Sequence, residues 1–433
     1  AAPGYTWSEE SSARGMAAFA TTSGRGVCMG DIDGDGDVDM FVATDSGATH
    51  QLWINDGVGV FTNEAAAWGA AGATADRGLA CTMADADADG LMDVYVTMYD
   101  GANKLYMNSG AGGAVEDGAA RGVALGGRSA GMAWGDVTGD SFPDLYVCRP
   151  SGANPLFIND GGGAFADDAA ARGVDSSAAA QEVVMFDLDG DTDVDVVVAN
   201  RGTANLLYIN SGEGPFTELG ASRGFSHPGQ AQGIAVGDAN GDTAIDLYVS
   251  NDADGDILYL GDGSGAFTAV PLASATLSVG AAMLDFEHDG DVDIVVGQSG
   301  AVGAAWVNLG GGTFVDASPS LNLNSPGDPG GLAVGDIDGD GDLDVCMAVS
   351  GRVYVNNNAR GDNWVTVRPL SGSGAPSAFG AIVRLACVDG CAPSWAGVRV
   401  IDSGSSQYSQ NAYDAVFGVP DVDATYDGTV AWP

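Results

Sequence analysis

The sequence predicts an all-β fold, a seven-bladed β-propeller with a small C-terminal β domain. Three observations carry the prediction. A short acidic pattern returns seven times, opening at Asp31, Asp85, Asp136, Asp187, Asp238, Asp285 and Asp336, with steps of 54, 51, 51, 51, 47 and 51 residues. Each repeat reads as four short strands, and a repeat of about 50 residues built that way is the signature of a propeller blade. The two ends of the array are complementary defects, so the ring can close.

Each copy opens with a small apolar run such as Gly233-Ile234-Ala235-Val236-Gly237, passes through the acidic loop and enters a β-rich run such as Ile245-Asp246-Leu247-Tyr248-Val249. A third strand follows, as in Leu52-Trp53-Ile54 or Leu105-Tyr106-Met107, and then a hairpin turn of the Asn55-Asp56-Gly57 type. The fourth strand begins near Phe61, Phe165, Phe216, Phe267 and Phe314. Trp7 to Gly15 matches the fourth-strand segments Phe61–Gly69, Phe165–Gly173 and Phe216–Gly224, whereas the seventh copy ends after Val353-Tyr354-Val355 and lacks its own. The N-terminal strand is therefore expected to complete blade seven and to remove an open sheet edge. This gives a propeller over residues 1–358 and a β module over 359–433. Arg14, Arg121, Arg172 and Arg223 recur just before the glycine of the fourth-strand motif, a placement that suits a structural role between blades better than a ligand site.

The acidic loops carry the chemistry. In loop one, the carboxylates of Asp31, Asp33, Asp35 and Asp39 can converge on one point if the loop wraps tightly, Asp37 at the seventh position can offer its carbonyl, and Gly36 at the sixth position supplies the positive φ that such a wrap requires. Hard oxygen donors in a flexible arrangement select Ca²⁺ ahead of Mg²⁺, which resists an all-protein cage. The same frame gives Asp85, Asp87, Asp89 and Asp93 in loop two, and Asp187, Asp189, Asp191, Asp193 and Asp195 in loop four. Loop six contributes Asp285, Glu287, Asp289, Asp291 and Asp293, and loop seven Asp336, Asp338, Asp340, Asp342 and Asp344. Two loops are poorer in charge: Asp136, Thr138, Asp140 and Asp144 with Ser141 at the glycine position, and Asp238, Asn240, Asp242 and Asp246 with Thr243 there. Up to seven calcium ions are expected, five of them in strong sites. Aspartate and glycine also make ordinary turns, but a turn needs one or two acids, and five like charges within nine residues repel without a cation. The missing position-twelve glutamate and flanking helices exclude an EF-hand.

With these loops in frame, residues 5 to about 358 resemble the FG-GAP/VCBS repeat class and are similar to the propeller of integrin α subunits. That resemblance implies structural Ca²⁺ in the loop joining the first and second strands, and ligand recognition on the opposite rim. There His50, Lys104, Arg149, Arg201, Asp252 and Gln298 are expected as exposed residues. The C-terminal segment resembles the ASPIC/UnbV module of acidic secreted proteins of the cartilage-acidic-protein type. Its matching features are Asn363-Trp364-Val365, Gly380-Ala381-Ile382-Val383, Arg399, Gly404, Ser409-Gln410, Phe417-Gly418 and Trp432-Pro433. The tripeptide Arg360-Gly361-Asp362 sits at the junction and reads as a chance occurrence.

Composition bounds the function. The formal charge is −44, and 30 of the 59 acidic residues lie in the seven loops, so the excess is largely local. Fourteen positive charges from seven divalent ions would still leave the chain at −30, which excludes nucleic acid and anionic lipid as natural partners. Lys104 is the single lysine, so Schiff-base chemistry has almost no candidate and a Walker-type phosphate loop has none. No apolar run is long enough to span a bilayer, and the start at Ala1-Ala2-Pro3 without a Met is that expected of a processed or trimmed product. No Asn-x-Ser/Thr sequon is present. Cys387 and Cys391 flank a turn and are expected to form a hairpin disulfide. Cys28 and Cys81 either meet as a disulfide between blades or stay buried as thiols, and Cys148 and Cys346 are expected free.

These readings point to a secreted or cell-surface calcium-binding protein that works by binding or adhesion, with an extracellular protein or glycan as partner and self-assembly as a further option. A structural subunit of a surface layer or filament is one alternative. A propeller-type carbohydrate lyase or dehydratase is another, for which the three histidines, His50, His227 and His288, fall at unrelated repeat positions.

Overall fold

The computed structural model describes residues 7–432 apart from 20–23, 46, 111, 213, 253, 273–276, 300–302, 319–322, 324–329, 358–362, 377, 391–394, 420 and 422. Arg360-Gly361-Asp362 and Cys391 lie outside the described residues.

Seven four-stranded antiparallel sheets form the blades. In blade one the strands are Gly24–Gly30, Asp39–Thr44, Gln51–Asn55 and Phe61–Asn63, paired in chain order. The first strands of blades two to seven are Gly78–Ala84, Met132–Gly135, Ala180–Phe186, Ala231–Gly237, Leu277–Leu284 and Leu332–Gly335. Apart from Leu277 and Met283 their residues are buried, because the strands face neighbouring blades on both sides. Blade seven takes its fourth strand from the N-terminus: Trp7 pairs with Asn356, Ser8 with Val355 and Glu9 with Tyr354. The Trp7 indole meets Phe286 of blade six edge-on, at a centroid distance of 5.9 Å.

Several fourth strands are shorter than the sequence pattern suggests, although that of blade five, Phe267–Leu272, has six residues. Phe61–Asn63, Ala114–Glu116 and Phe165–Asp167 have three residues each, and a single helical turn follows at Ala65–Trp68, Gly118–Arg121 and Ala169–Arg172. Alanine-rich runs are weak strand formers and good helix formers, and Gly69, Gly122 and Gly173 end each turn in the left-handed conformation.

The C-terminal segment forms a two-stranded sheet, Trp364–Val367 with Ala415–Gly418, and a three-stranded sheet in which Ile382–Asp389 lies between Ala396–Val400 and Thr425–Ala431. Between Val400 and Ala415 the chain leaves these sheets and enters the centre of the ring. Residues 402–414 reach the first strand of every blade. Gln410 N–H donates to Val27 O (3.0 Å), and Tyr413 Oη donates to Met83 O (2.8 Å). Ser403 Oγ donates to Trp134 O (2.8 Å), and Tyr408 N–H donates to Glu182 Oε2 (2.9 Å). Ser406 N–H donates to Ile234 O (2.7 Å), and Ala412 N–H to Val334 O (2.9 Å). In blade six, a Cβ on Gly280 would lie 2.4 Å from Ser406 Oγ. The segment is buried although it is mostly polar, because most of its hydroxyl, amide and backbone groups are hydrogen-bonded, many of them to the inner edges of the first strands.

Candidate metal centre

The acidic loops join first and second strands on one face of the ring. Their shape is set by backbone conformation at two positions. The fourth and sixth residues of all seven loops have positive φ: 80° and 99° at Gly34 and Gly36, and 74° and 70° at Gly241 and Thr243. Non-glycine residues occupy several of these positions, including Ala88, Ser141, Thr192 and His288. A left-handed β-branched residue is costly, so the wrap is imposed by what it satisfies. In loop one the Asp31 carboxylate accepts N–H groups from Gly34 (2.8 Å), Asp35 (3.1 Å) and Gly36 (3.0 Å). Loop seven repeats this with Asp336 accepting from Gly339, Asp340 and Gly341. The ninth-position carboxylate closes the loop from the other side: Asp39 accepts from Ile32 N (3.0 Å) and from Asn55 N (2.8 Å) at the end of the third strand.

Four loops bring three carboxylates together. Asp31, Asp33 and Asp39; Asp85, Asp87 and Asp93; Asp187, Asp189 and Asp195; and Asp336, Asp338 and Asp344 each place ligand oxygens within 4.8 Å of one another. Burial raises the pKa of the innermost members, Asp39, Asp93 and Asp195, to about 8, with the neighbouring carboxylates adding to the rise. Asp344 is raised well above its ordinary value by the same cause. Loops three and five, with Thr138 and Asn240 in third position, form no such cluster of three carboxylates among the described residues, yet Asp144 and Asp246 are still pushed up to about 7 by burial.

Loop six has the acids but does not gather them. Asp285 Oδ2 accepts the Gly418 N–H (3.0 Å) and lies 3.9 Å from Arg399 Nη2, so the C-terminal module holds the first-position carboxylate. Arg399 was legible as a feature of the module, but its partner was not, since 114 residues of sequence separate Arg399 from Asp285.

The recurrent arginines have a specific task. Arg14 Nη2 donates to Asp338 Oδ2 (2.6 Å), Arg121 Nη2 to Asp87 Oδ2 (3.0 Å) and Arg223 Nη2 to Asp189 Oδ2 (3.4 Å), in each case the third residue of the loop. Through Nη1 the same arginines reach carbonyls of the next blade's hairpin, Val58 and Gly59, Gly162, and Ser264. Arg172 faces the loop with Thr138 in third position and pairs with Asp168 instead. The second oxygen of each held aspartate, Oδ1 of Asp87, Asp189 and Asp338, is buried without a hydrogen-bond partner. A carboxylate fixed by one oxygen, with the other buried, unpaired and facing two more carboxylates, fits a hard cation.

The sequence reading missed a second recurrent device. In sequence the asparagine ending the third strand reads as a turn residue, and its Oδ1 does serve the turn, as when Asn55 accepts from Gly57 and Gly59. Its Nδ2 also crosses to the previous blade's acidic loop: Asn55 to Ile337 O (2.8 Å), Asn108 to Ile32 O (2.8 Å), Asn159 to Ala86 O (2.9 Å) and Asn210 to Val137 O (3.1 Å). Asn308 reaches Ala239 O (2.7 Å) and Asn356 reaches Phe286 O (2.9 Å). Blade five has Gly261 there, where a Cβ would lie 2.2 Å from Ile245 O.

On the opposite rim the expected surface residues divide. Arg201 and Asp252 are accessible and paired. Arg149 is partly exposed, and Lys104 is partly covered by Asp76. His50 and Gln298 are buried, contrary to expectation, because the turn folds inward and His50 Nδ1 accepts the Thr44 N–H (3.2 Å). Cys28 and Cys81 do meet between blades, both pointing at Phe41 O (3.9 and 3.4 Å), but as free thiols; Cys148 and Cys346 are also free. Cys387 is disulfide-bonded.

The FG-GAP-like repeat family matches the chain six times, over residues 31–96, 85–147, 136–198, 187–249, 238–296 and 285–347. Cartilage acidic protein 1 of Homo sapiens is 25% identical over 448 residues, which takes in 94% of this chain and 60% of the human protein. The Mus musculus protein is 26% identical over 465 residues, with 94% and 70% covered. This chain thus spans about 60% to 70% of the length of these curated relatives. Among solved structures, that of BBS1N in complex with ARL6DN aligns with a TM-score of 0.52 at 15% identity, covering 79% of this chain and 95% of that one.

Proposed function

Because the chain belongs to the FG-GAP-like repeat family, we propose that it is a secreted calcium-binding protein that acts as an extracellular adhesion or scaffold module, holding a protein or glycan partner rather than transforming a substrate. The observation that carries the calcium part is the set of buried, unpartnered Oδ1 atoms of Asp87, Asp189 and Asp338, each inside a group of three carboxylates. In loops one, two, four and seven the first, third and ninth carboxylates would hold the ion, with the fifth carboxylate and the seventh carbonyl within the same wrap. Calcium there supplies charge that offsets the mutual repulsion of the acids and locks each loop to its blade. The secreted and partner-binding parts are supported by the alignment with cartilage acidic protein 1 over 94% of the chain. BBS1N, solved in complex with ARL6DN, is an example of a protein of this fold holding a protein partner.

The test is thermal melting with calcium and with chelator, joined to calorimetric titration of the metal-free chain. A site present at a hundredfold excess over its dissociation constant adds about 2.7 kcal/mol, so four sites are expected to shift the melting temperature by roughly 10 °C or more. Equal melting temperatures in the two buffers, or fewer than four calcium ions bound per chain, would overturn the reading.

A further inference from the structure

Where residues 402–414 stop, on the face of the ring away from the acidic loops, the channel ends in a cup of about 280 Å³ floored by Gln407 and Tyr408. Four arginines stand on its wall, Arg25, Arg77, Arg128 and Arg201, out of only 15 basic residues in a chain with 59 acids. They come from different blades. Arg25 and Arg77 share Asp45, at 3.0 and 2.8 Å, and Arg77 also reaches Asp100 at the outer edge (3.3 Å). Arg201 pairs with Asp252, which also accepts from Gln232 (3.4 Å). Arg128 is paired with no carboxylate among the described residues, and its Nε is buried without a hydrogen-bond partner. Its guanidinium stacks 4.9 Å from the Tyr99 ring centroid, while that of Arg77 lies 3.9 Å from the same ring. Glu182, beneath Tyr408, accepts the Tyr408 N–H (2.9 Å) and is pushed well above the usual carboxylate range by burial.

We infer that this cup is a binding site for an acidic sugar, a polyhydroxylated ring carrying one carboxylate, at the end or within the chain of an extracellular glycan. This deepens the scaffold reading, on which it rests, by naming the partner's chemistry. Within the cup four guanidinia face two carboxylates, a local reversal of the chain's charge, and the planar guanidinium fork matches a carboxylate. Asp45, Asp252, Gln232 and Gln407 give acceptors and donors for ring hydroxyls. The two aspartates also argue against a compact dianion such as sulfate or phosphate, whose spare oxygens they would repel while hydroxyls would donate to them. The volume suits one or two sugar rings and leaves no extended groove for a peptide backbone.

The experiment is calorimetric titration of the whole chain, in calcium, with trigalacturonate as the probe. A neutral trisaccharide, an oligoglutamate peptide and inorganic sulfate serve as comparisons, and the parent is set against Arg128→Gln. Saturable trigalacturonate binding, none by the neutral trisaccharide, and a loss of at least about tenfold in Arg128→Gln at an unchanged melting temperature are expected. Should Arg128→Gln melt lower than the parent, Arg201→Gln, at the rim, reads the same loss. Absence of trigalacturonate binding, equal binding of the neutral trisaccharide, preference for oligoglutamate or sulfate, or undiminished binding in both variants overturns the inference. Those outcomes leave the calcium scaffold standing, which falls separately if chelation does not change the melting temperature.

Discussion

Asp87, Asp189 and Asp338 each have one oxygen bonded to an arginine and the other buried without a partner, open to the cation proposed above, and single substitutions can tell the two jobs apart. Arg121 and Asp87 are each about one-fifth exposed, at 21%, and lie 3.0 Å apart, so Arg121→Gln is expected to cost about 1–2 kcal/mol and to weaken calcium at loop two. Arg172→Gln removes only an i,i+4 pair with Asp168, whose side chain is 43% exposed, and should cost about 0.5 kcal/mol or less without touching calcium affinity. Melting curves and calcium titrations of the two variants check this, and equal effects would refute the positioning role. His50 makes a pH prediction of its own. Burial holds its imidazole down at about 4, with Asp76 opposing the shift and Lys104 adding to it, and its Nδ1 accepts a backbone N–H. Between pH 6.5 and 4 the unfolded chain binds a proton that the folded chain does not, so stability is lost as pH falls through that window, by about 3 kcal/mol in all. His50→Asn keeps an acceptor and removes the titration. The stability difference between parent and variant should therefore shrink or reverse from pH 7 to pH 4.5, and a difference independent of pH would exclude His50 as the cause.

At the scale of the element, strand order and register were largely legible, because alternation, hairpin turns and a 51-residue period leave few other pairings for Asp39–Thr44 or Asp93–Met98. The acidic loops were legible for a similar reason, since metal-ligand spacing is local. What escaped was contact between elements. The asparagine clamp hid behind a turn motif, although Asn308 and Asn356 keep the residue where the next two are Leu-Gly and Asn-Asn instead of Asp-Gly. That persistence was the available signal. Asn108→Ala leaves Ile32 O and Met92 O without their side-chain donor and is expected to cost about 1–3 kcal/mol; Asn108→Asp, nearly isosteric but without the donor, should cost at least as much, and urea unfolding measures both. The closing strand is the second test at this scale. Deleting residues 1–15 removes Trp7–Glu9 from Arg352–Asn356, strips Arg14 from Asp338 and bares a hydrogen-bonding edge. Aggregation or loss of expression is expected, and a monomeric deletion mutant with normal melting would contradict ring closure by this strand.

The whole molecule is joined through its centre. Residues 402–414 could not be placed from sequence: Ser-Gly-Ser-Ser-Gln-Tyr-Ser-Gln-Asn has the composition of a surface loop, and its partners, from Val27 to Val334, carry no mark of waiting for it. The only local trace of the arrangement is glycine where the approach is closest, as at Gly26, whose Cβ would lie 2.1 Å from Tyr408 O. The same module also lies across the acidic face. Arg368 Nη1 donates to Gly36 O (3.0 Å), Ser373 Oγ donates to Asp85 Oδ2, and Gly418 N–H donates to Asp285 Oδ2. Calcium bound in the loops would therefore reinforce the buried segment, since the ions would fix the surface on which the module rests and the module carries the segment into the ring. Amide hydrogen exchange gives the decisive prediction. With calcium, the amides of Ser406, Gln410 and Ala412, each bonded to a first-strand carbonyl, should exchange as slowly as those of Val27 and Val334 themselves. Chelation should speed exchange in residues 403–412 and in the first strands together, because opening either removes the partners of the other. Exchange of 403–412 at surface-loop rates while calcium is bound would show that the segment does not fill the ring in solution. Protection of 403–412 that survives in chelator would show that metal and module are not coupled.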